Sequence, residues 1–208
     1  MPAEPAEDSI PQIASEVKVC PLCELSRSRT NAVPGEGDPN ARVMLICEAP
    51  GWHEDQQGKP FVGASGKFLS ELLTKAGLSR EEVFITNVVK CRPPGNRDPL
   101  PDEIEACAPY LERQIEVIDP DVIVTLGRFS MAKFFPGERI SKIHGEPKTV
   151  GHRLVVPMYH PAAALHQGAL RATIQEDFDK LPRFLAERQR AREANKEKGD
   201  APTQSTLF

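Results

Sequence analysis

Four cysteines in two distant segments have the residue type and the spacing of a metal centre. Cys20 and Cys23 form a Cys-x-x-Cys pair, whereas Cys91 and Cys107 lie much further along the chain, around a proline-rich segment. Thiolates from distant segments can converge on one centre, either an iron–sulfur cluster or a structural zinc ion. The long spacing of the second pair fits a zinc ribbon poorly, so spacing favours iron–sulfur over zinc and over ordinary buried thiols.

A second group of side chains could act on a bound ligand. Glu48 and Asp55 follow one apolar run, Asn87 closes another, and His160 follows a third. Carboxylate, amide and imidazole groups serve as acids, bases and hydrogen-bond partners in active sites. If the apolar runs are parallel strands, their carboxyl ends meet at one edge of the sheet, where ligands bind. The sequence therefore predicts one site that contains all four side chains.

The elements that must position these residues can be read from hydrophobic periodicity. Apolar runs rich in β-branched residues predict buried strands at Val43–Cys47, Val83–Val89, Val122–Leu126 and Leu154–Tyr159. Amphipathic or highly charged helical patterns lie at Ser65–Ala76, Asp102–Ile118, Arg128–Phe135 and Arg171–Lys198. Alternation of strands and helices predicts an α/β fold, a three-layer α/β/α arrangement around a central, mainly parallel four-stranded sheet.

Length and composition fit one domain with short tails. The chain has 208 residues and a net charge of −4, so any nucleic-acid contact must come from a local basic surface. We expect a disordered acidic tail over residues 1–11, a globular domain over 12–195 and a flexible tail over 196–208. Without a membrane-length apolar run or a signal sequence, the chain is predicted to be a soluble, cytoplasmic monomer with no membrane partner.

Four motifs occur in order around these residues and carry a family resemblance. They are Cys47-Glu48-Ala49-Pro50-Gly51 with Glu54 and Asp55, Gly58-Lys59-Pro60-Phe61-Val62-Gly63, Thr86-Asn87-Val88-Val89-Lys90-Cys91-Arg92-Pro93-Pro94, and His160-Pro161-Ala162. Together with the cysteine spacing, they resemble the family 4 uracil-DNA glycosylases, the iron–sulfur type of bacteria and archaea. The resemblance extends from the first cysteine pair to the last helix.

The resemblance implies a cofactor and a reaction. The cofactor is a 4Fe–4S cluster on Cys20, Cys23, Cys91 and Cys107, with a structural role. The reaction is hydrolysis of the N-glycosidic bond of deoxyuridine in DNA, which leaves an abasic site and starts base excision repair. A base inside a duplex is inaccessible, so the uracil nucleotide would first be flipped into a pocket. No motif offers a lysine nucleophile, so a monofunctional enzyme without a lyase step is expected.

Carried over by motif, the resemblance assigns residues to base recognition. Phe61 would stack on the uracil ring, and the Asn87 amide would pair with its O4 and N3 edge. His160 would donate a hydrogen bond to O2 as negative charge grows there in the transition state. Ala49 would line the uracil site, at the position where the wider superfamily often has a water-activating aspartate.

Other residues are assigned to catalysis and to DNA contact. Glu48 is the candidate for positioning water or stabilising the oxocarbenium-like sugar, and Asp55 could share that task. Leu165, in an expected loop over Ala162–Leu170, is the candidate wedge that fills the space left by the flipped base. Candidate phosphate contacts are Lys90, Arg92, Lys142, His144 and Arg171.

Two features leave alternatives open. Cys47 stands where the family usually has glycine, so the chain could instead have altered base specificity or weakened activity. From another class, a non-catalytic, cluster-bearing DNA-binding module would use the same cysteines. A third alternative, a superfamily type that traps the abasic sugar covalently, relies on a histidine in an inserted loop near the third cysteine ligand. The Cys91–Cys107 segment contains no histidine, which argues against that type.

The end of the chain suggests a protein partner. Gln204, Leu207 and Phe208 resemble the short Gln-x-x-Leu-Phe peptides that bind bacterial sliding clamps. An apolar pair at the end of a flexible arm can dock into a groove at modest ordering cost. The sequence therefore predicts a tether to the replication clamp, although so short a motif also arises by chance.

Overall fold

A six-stranded sheet with strand order β1-β3-β2-β4-β6-β5 forms the centre of the fold. The structure is a computed structural model that describes residues 8–199, with side chains described as far as residue 193. The strands are β1 (Glu36–Gly37), β2 (Val43–Cys47), β3 (Val83–Asn87), β4 (Val122–Leu126), β5 (Lys148–Val150) and β6 (Arg153–Met158). The four inner strands are the predicted ones and are parallel. The predicted number of four is too small, because the short edge strands β1 and β5 also pair with the sheet, both antiparallel.

Helices cover both faces of the sheet and confirm the three-layer α/β/α prediction. They are α1 (Ile10–Val19), α2 (Leu25–Ser28), α3 (Trp52–Gln57), α4 (Ala64–Lys75), α5 (Pro101–Ile118), α6 (Arg128–Phe134), α7 (Ile140–Ile143), α8 (Pro161–His166), α9 (Leu170–Phe178) and α10 (Leu181–Gly199), with a 3₁₀ turn at Pro94–Asn96. Because side chains alternate along a strand, Leu45 packs beneath α4, α9 and α10, whereas Met44 and Ile46 pack beneath α1 and α5.

The structure departs from the predicted helices in three places. Helix α1 begins at Ile10, inside the segment expected to be a tail, because Ser9 caps it and Ile13 and Val17 are buried in the core. The single predicted last helix is two helices, since Pro182 at the start of α10 cannot continue the hydrogen bonding of α9. The segments after β2 and β6, expected to be loops, contain the short helices α3 and α8.

Helix length and polarity determine whether a segment could cross a membrane. Over residues 8–199, no helix is both long enough and apolar enough to span a bilayer. The tail segments 1–7 and 200–208, including Gln204, Leu207 and Phe208, lie outside the described residues.

Candidate active site and metal centre

A cleft at the carboxyl ends of the parallel strands collects most of the predicted site residues. Its walls come from the segment after β2, the start of α4, the end of β3 and the segment after β6. The predicted residues that line it are Glu48, Ala49, Phe61, Asn87, His160 and Leu165. The position agrees with the general rule that open α/β sheets bind ligands at this edge.

His160 is held as a neutral hydrogen-bond donor. Its Nδ1 accepts a hydrogen bond from the backbone N–H of Ala162 at 3.1 Å and thereby caps helix α8. An accepting Nδ1 leaves the ring proton on Nε2. Removal from water lowers the pKa of His160 to about 4, although Glu54 opposes this shift. The imidazole is therefore uncharged at neutral pH, with one N–H available to a ligand.

Phe61 lies in a tightly constrained turn beside His160. The two rings are nearly parallel, at 22° with centroids 5.4 Å apart, and Phe61 has a positive φ of 53°. Glu54 Oε1 accepts hydrogen bonds from the N–H groups of Val62 and Gly63 at 3.0 and 3.2 Å. Arg80 donates to the carbonyls of Pro60 and Phe61 at 2.9 and 3.2 Å. These contacts fix the position of a flat ring at the wall of the cleft.

Gly66 is required for this turn to pack against α4. A Cβ at Gly66 would lie 1.8 Å from the Phe61 carbonyl oxygen, so Gly66→Ala must displace the turn. We expect a loss of about 1–3 kcal/mol in unfolding free energy, together with impaired ligand binding in the cleft. Chemical denaturation and binding of free uracil would measure the two effects.

Gly77 provides the matched control for that substitution. It lies just beyond the other end of α4 at φ +71°, with open space where a Cβ would lie. Gly77→Ala should therefore cost stability through backbone strain alone and leave ligand binding unchanged. Equal binding by Gly66→Ala and the unsubstituted protein would contradict the role given to the turn.

Asn87 is the last residue of β3, with only 3% of its surface exposed, and the buried side chain of Lys90 binds its backbone carbonyl. Lys90 Nζ donates to the Asn87 carbonyl, Thr86 Oγ1 and Gln114 Oε1 at 2.8, 2.6 and 2.7 Å. Burial lowers the pKa of Lys90 to about 8. The expectation that Lys90 contacts phosphate is therefore wrong, because its ammonium group is enclosed by the protein. Sequence reasoning missed this support for Asn87.

The two predicted carboxylates have different surroundings. Glu48 is partly exposed in the cleft, and its pKa is raised by burial and by Asp98, with Arg128 opposing. Asp55 is 2% exposed and does not line the cleft. Its Oδ1 accepts instead from the N–H of Thr30 at 2.9 Å, so the catalytic task suggested for Asp55 does not fit its position.

The position of Asp55 on helix α3 explains why its side chain points away from the cleft. Adjacent residues on a helix point about 100° apart, so Glu54 reaches the Phe61 turn while Asp55 reaches the N-terminal segment. The side-chain amide of Asn31 strengthens the contact with the N-terminal segment, since it donates a hydrogen bond to the Asp55 backbone carbonyl at 2.9 Å. Asp55 thus fastens the chain between α2 and β1 to α3.

Some of the candidate DNA-contact residues are exposed, whereas others are already bound to another side chain of the protein. Leu165 is 48% exposed at the rim of the cleft, on α8 rather than on the expected loop. Arg171 pairs with Glu71 at 2.9 Å, and His144 pairs with the buried Asp177 at 2.7 Å. Arg92 Nε donates to Asn96 at 2.6 Å, and Lys142 is exposed.

Cys47 lies below the cleft rather than in it. Its side chain is 1% exposed and packs with Leu45 and Phe61 in the core on the α4 side of the sheet. Burial raises the pKa of the Cys47 thiol well above its ordinary value. The thiol is therefore protonated, and it can influence the cleft only through the packing of Phe61 and its neighbours.

The other four cysteines surround a separate cavity. Cys20 and Cys23 follow α1, Cys91 follows β3 and Cys107 lies on α5, and all four line the cavity together with Tyr110. The Arg29 guanidinium donates to Cys91 Sγ at 3.0 Å, and the Lys90 backbone N–H donates to Cys107 Sγ at 3.3 Å. Hydrogen bonds of this kind stabilise sulfur that carries negative charge.

The surroundings of these thiols bear on what they could bind. Over the described residues, no three His, Cys, Asp or Glu side chains close around a point suitable for a single ion. The four thiols lie together in the lining of this cavity, so they are available as one set of ligands, a number that both zinc sites and iron–sulfur clusters use. Burial raises the pKa of Cys107 to about 11 and also raises that of Cys91, so these thiols need a positive centre to ionise.

The fold and the cleft together define a class of protein. A neutral imidazole donor, an amide and a fixed aromatic ring meet at the ligand-binding edge of a three-layer α/β sheet. This arrangement suits a flat heteroaromatic ring with polar edges, which stacks on one face and is hydrogen-bonded at its rim.

Comparisons with known proteins give the family. The sequence model of the uracil DNA glycosylase superfamily matches residues 34–184. The type-4 uracil-DNA glycosylases of Sulfurisphaera tokodaii and Saccharolobus solfataricus are 52% and 51% identical, over 84% and 86% of this chain and 84% and 88% of theirs. That of Thermotoga maritima is 43% identical, over 86% of this chain and 96% of its own. The chain belongs to the uracil DNA glycosylase superfamily, within its type-4 group.

Proposed function

We propose that this protein is a monofunctional uracil-DNA glycosylase, which hydrolyses the N-glycosidic bond of deoxyuridine in DNA and leaves an abasic site. The observation that carries the proposal is the convergence of Phe61, Asn87 and the neutral His160 on one cleft, in a chain of this superfamily. Incubation with a uracil-containing strand should release free uracil and leave the strand unbroken until alkali is added. Strand breakage before alkali would contradict the monofunctional assignment.

Base recognition follows from the shape and polarity of the cleft. Uracil flipped out of DNA stacks on Phe61, whose turn is fixed by Glu54 and Arg80. The Asn87 amide pairs with O4 and N3–H, donating to the first and accepting from the second. Cytosine presents the opposite pattern at that edge and would leave buried groups unpaired, which costs about 1–3 kcal/mol for each group.

His160 acts on the leaving group. As the bond between C1′ and N1 breaks, its electron pair passes to the uracil ring and charge develops at N1 and O2. The Nε2–H of His160 donates to O2, and this hydrogen bond strengthens as the charge grows. The donor stays neutral because its pKa is about 4, so it stabilises the uracil anion without transferring a proton at neutral pH.

Glu48 acts on the opposite side of the reaction, at the sugar. Its carboxylate stabilises the oxocarbenium-like C1′ and orients the water that attacks there. The proton released by that water passes to Glu48 or to solvent, and the uracil anion is protonated from solvent. This assignment requires an ionised Glu48 in the substrate complex.

The requirement predicts the pH dependence of turnover. Glu48 has a raised pKa and must lose its proton, so kcat/KM should rise with pH through a value above that of an ordinary glutamate and then level off. His160 is already neutral over that range. Glu48→Gln should remove this limb of the profile and lower the plateau by about 10²–10⁴-fold. A pH–rate profile unchanged by Glu48→Gln would show that another group titrates.

The cavity between the four cysteines is proposed to hold a 4Fe–4S cluster. Cys20, Cys23, Cys91 and Cys107 supply the thiolates, and Arg29 donates a hydrogen bond to the Cys91 sulfur. When bound, the cluster cross-links the N-terminal arm to β3 and α5 and supplies no step of the hydrolysis. Equimolar zinc with no iron or sulfide in the purified protein would contradict this assignment.

The end of the chain is proposed to bind a sliding clamp. Gln204, Leu207 and Phe208, which lie outside the described residues, supply a polar anchor and an apolar pair for a groove on the clamp. Deletion of residues 204–208 should abolish clamp binding in a pull-down or by calorimetry. The same deletion should leave turnover on a free oligonucleotide unchanged. Clamp binding that survives the deletion would refute the proposal.

A further inference from the structure

Trp52 is a large aromatic side chain that the chemistry of the cleft does not use. It begins α3 and lines the same cleft as Phe61, Asn87 and His160, yet 52% of its surface is exposed. It belongs to neither of the two hydrophobic clusters of the core. Packing therefore does not explain its presence, and an exposed indole at the edge of a ligand site is typical of a binding surface.

The indole contacts the ring of the neighbouring residue. Its ring meets the His53 ring edge to face, with centroids 4.9 Å apart and an interplanar angle of 84°. Helix α3 is itself fastened to the Phe61 turn by Glu54. With 52% of its surface exposed, the indole therefore keeps open surface at the rim, on a helix whose position relative to the Phe61 turn is fixed.

We propose that Trp52 stacks on a base adjoining the flipped uracil, on the same strand; this inference rests on the proposed function. The uracil ring occupies the part of the cleft formed by Phe61, Asn87 and His160, so the next nucleotide lies over the rim. Stacking of a base on an aromatic side chain is worth about 1–3 kcal/mol and does not depend on which base it is. The indole face supplies that contact.

The contribution of Trp52 to DNA binding depends on whether the DNA is single- or double-stranded. In a duplex the adjoining base is stacked and paired, and freeing it costs a few kcal/mol. In a single strand it is available at lower cost. Trp52 therefore favours single-stranded or locally unpaired uracil sites over uracil in an intact duplex. The exposed Leu165, also on the rim, instead fills the space that the flipped nucleotide leaves in the base stack of a duplex.

Tryptophan fluorescence tests the contact directly, because the chain has one tryptophan. The probe is a labelled single strand in which a stable abasic analogue is flanked by purines, so the measurement does not depend on cleavage. We expect saturating probe to quench the Trp52 emission. Emission that is unchanged while the anisotropy of the label reports binding would overturn the proposal.

Substitutions test the strand preference. Trp52→Ala should raise KM about tenfold on a single-stranded uracil substrate, with kcat unchanged, and should raise it less on a duplex. Trp52→Phe should retain most of the affinity. Val150→Ala is the control, since Val150 is exposed on edge strand β5 and outside the cleft. Equal effects of Trp52→Ala on both substrates, or none on either, would contradict the proposal.

The two proposals fail in different ways. If the protein does not release uracil, the proposed function fails while the fluorescence measurement still reports stacking on DNA. If uracil is released and Trp52 emission ignores bound DNA, only the inference about Trp52 fails.

Discussion

Replacement of His160 by alanine is expected to lower kcat about 10²–10³-fold, with the protein still folded. Removal of one donor that stabilises a developing oxyanion has an effect of this size in other enzymes. In this protein the donor is Nε2–H, since Nδ1 accepts from the Ala162 N–H. Single-turnover release of uracil from a saturated complex would measure the effect on the chemical step alone.

The same substitution also removes the N-cap of α8, and this effect needs its own control. Serine caps helices well but is too short to take the place of the imidazole. His160→Ser should therefore keep the structure around α8, and its kcat should be as low as that of His160→Ala. Recovery of turnover in His160→Ser would mean that the histidine positions α8 and does not act on the leaving group.

Replacement of Cys107 by alanine is expected to remove the cluster and loosen the N-terminal arm. Cys107 is 8% exposed on α5 and lines the cysteine cavity beside Tyr110. Metal binding is coupled to folding in such sites, so loss of one ligand should weaken the link between the N-terminal arm and α5. We expect loss of visible absorbance, loss of iron and sulfide, a lower unfolding temperature, and faster proteolysis before residue 30.

Cys47 supplies the matched control for this prediction. It is also a buried cysteine, 1% exposed, but it lies in the core away from the cavity. Cys47→Ala should keep the iron, the sulfide and the absorbance. Full iron content in Cys107→Ala, or its loss in Cys47→Ala, would show that the cavity between α1, β3 and α5 is not the metal centre.

The sequence predicted the inner sheet well because parallel strands are buried on both faces. Runs such as Val43–Cys47 are therefore apolar throughout and stand out from the helices around them. The edge strands β1 and β5 have two and three residues and are partly exposed, so they leave no such pattern. Their pairing depends on neighbours distant in sequence.

The location of the candidate site residues could be predicted from the sequence, but the direction of several side chains could not. Motifs placed Glu48, Asn87 and His160 at one edge of the sheet, where the structure has them. They could not separate Glu54 from Asp55, because that depends on the rotation of α3, which no single motif specifies. The burial of Lys90 was likewise hidden, since its acceptor Gln114 comes from a distant helix.

The most direct test of the central claim is cleavage of a labelled oligonucleotide with one uracil, treated with alkali after incubation. Matched strands with thymine or cytosine at that position are the controls, and Cys47→Gly is assayed in parallel. We expect breakage at uracil alone, by both proteins. No cleavage by either protein would contradict the glycosylase assignment and favour a cluster-bearing DNA-binding module, whereas cleavage only by Cys47→Gly would locate a defect at Cys47.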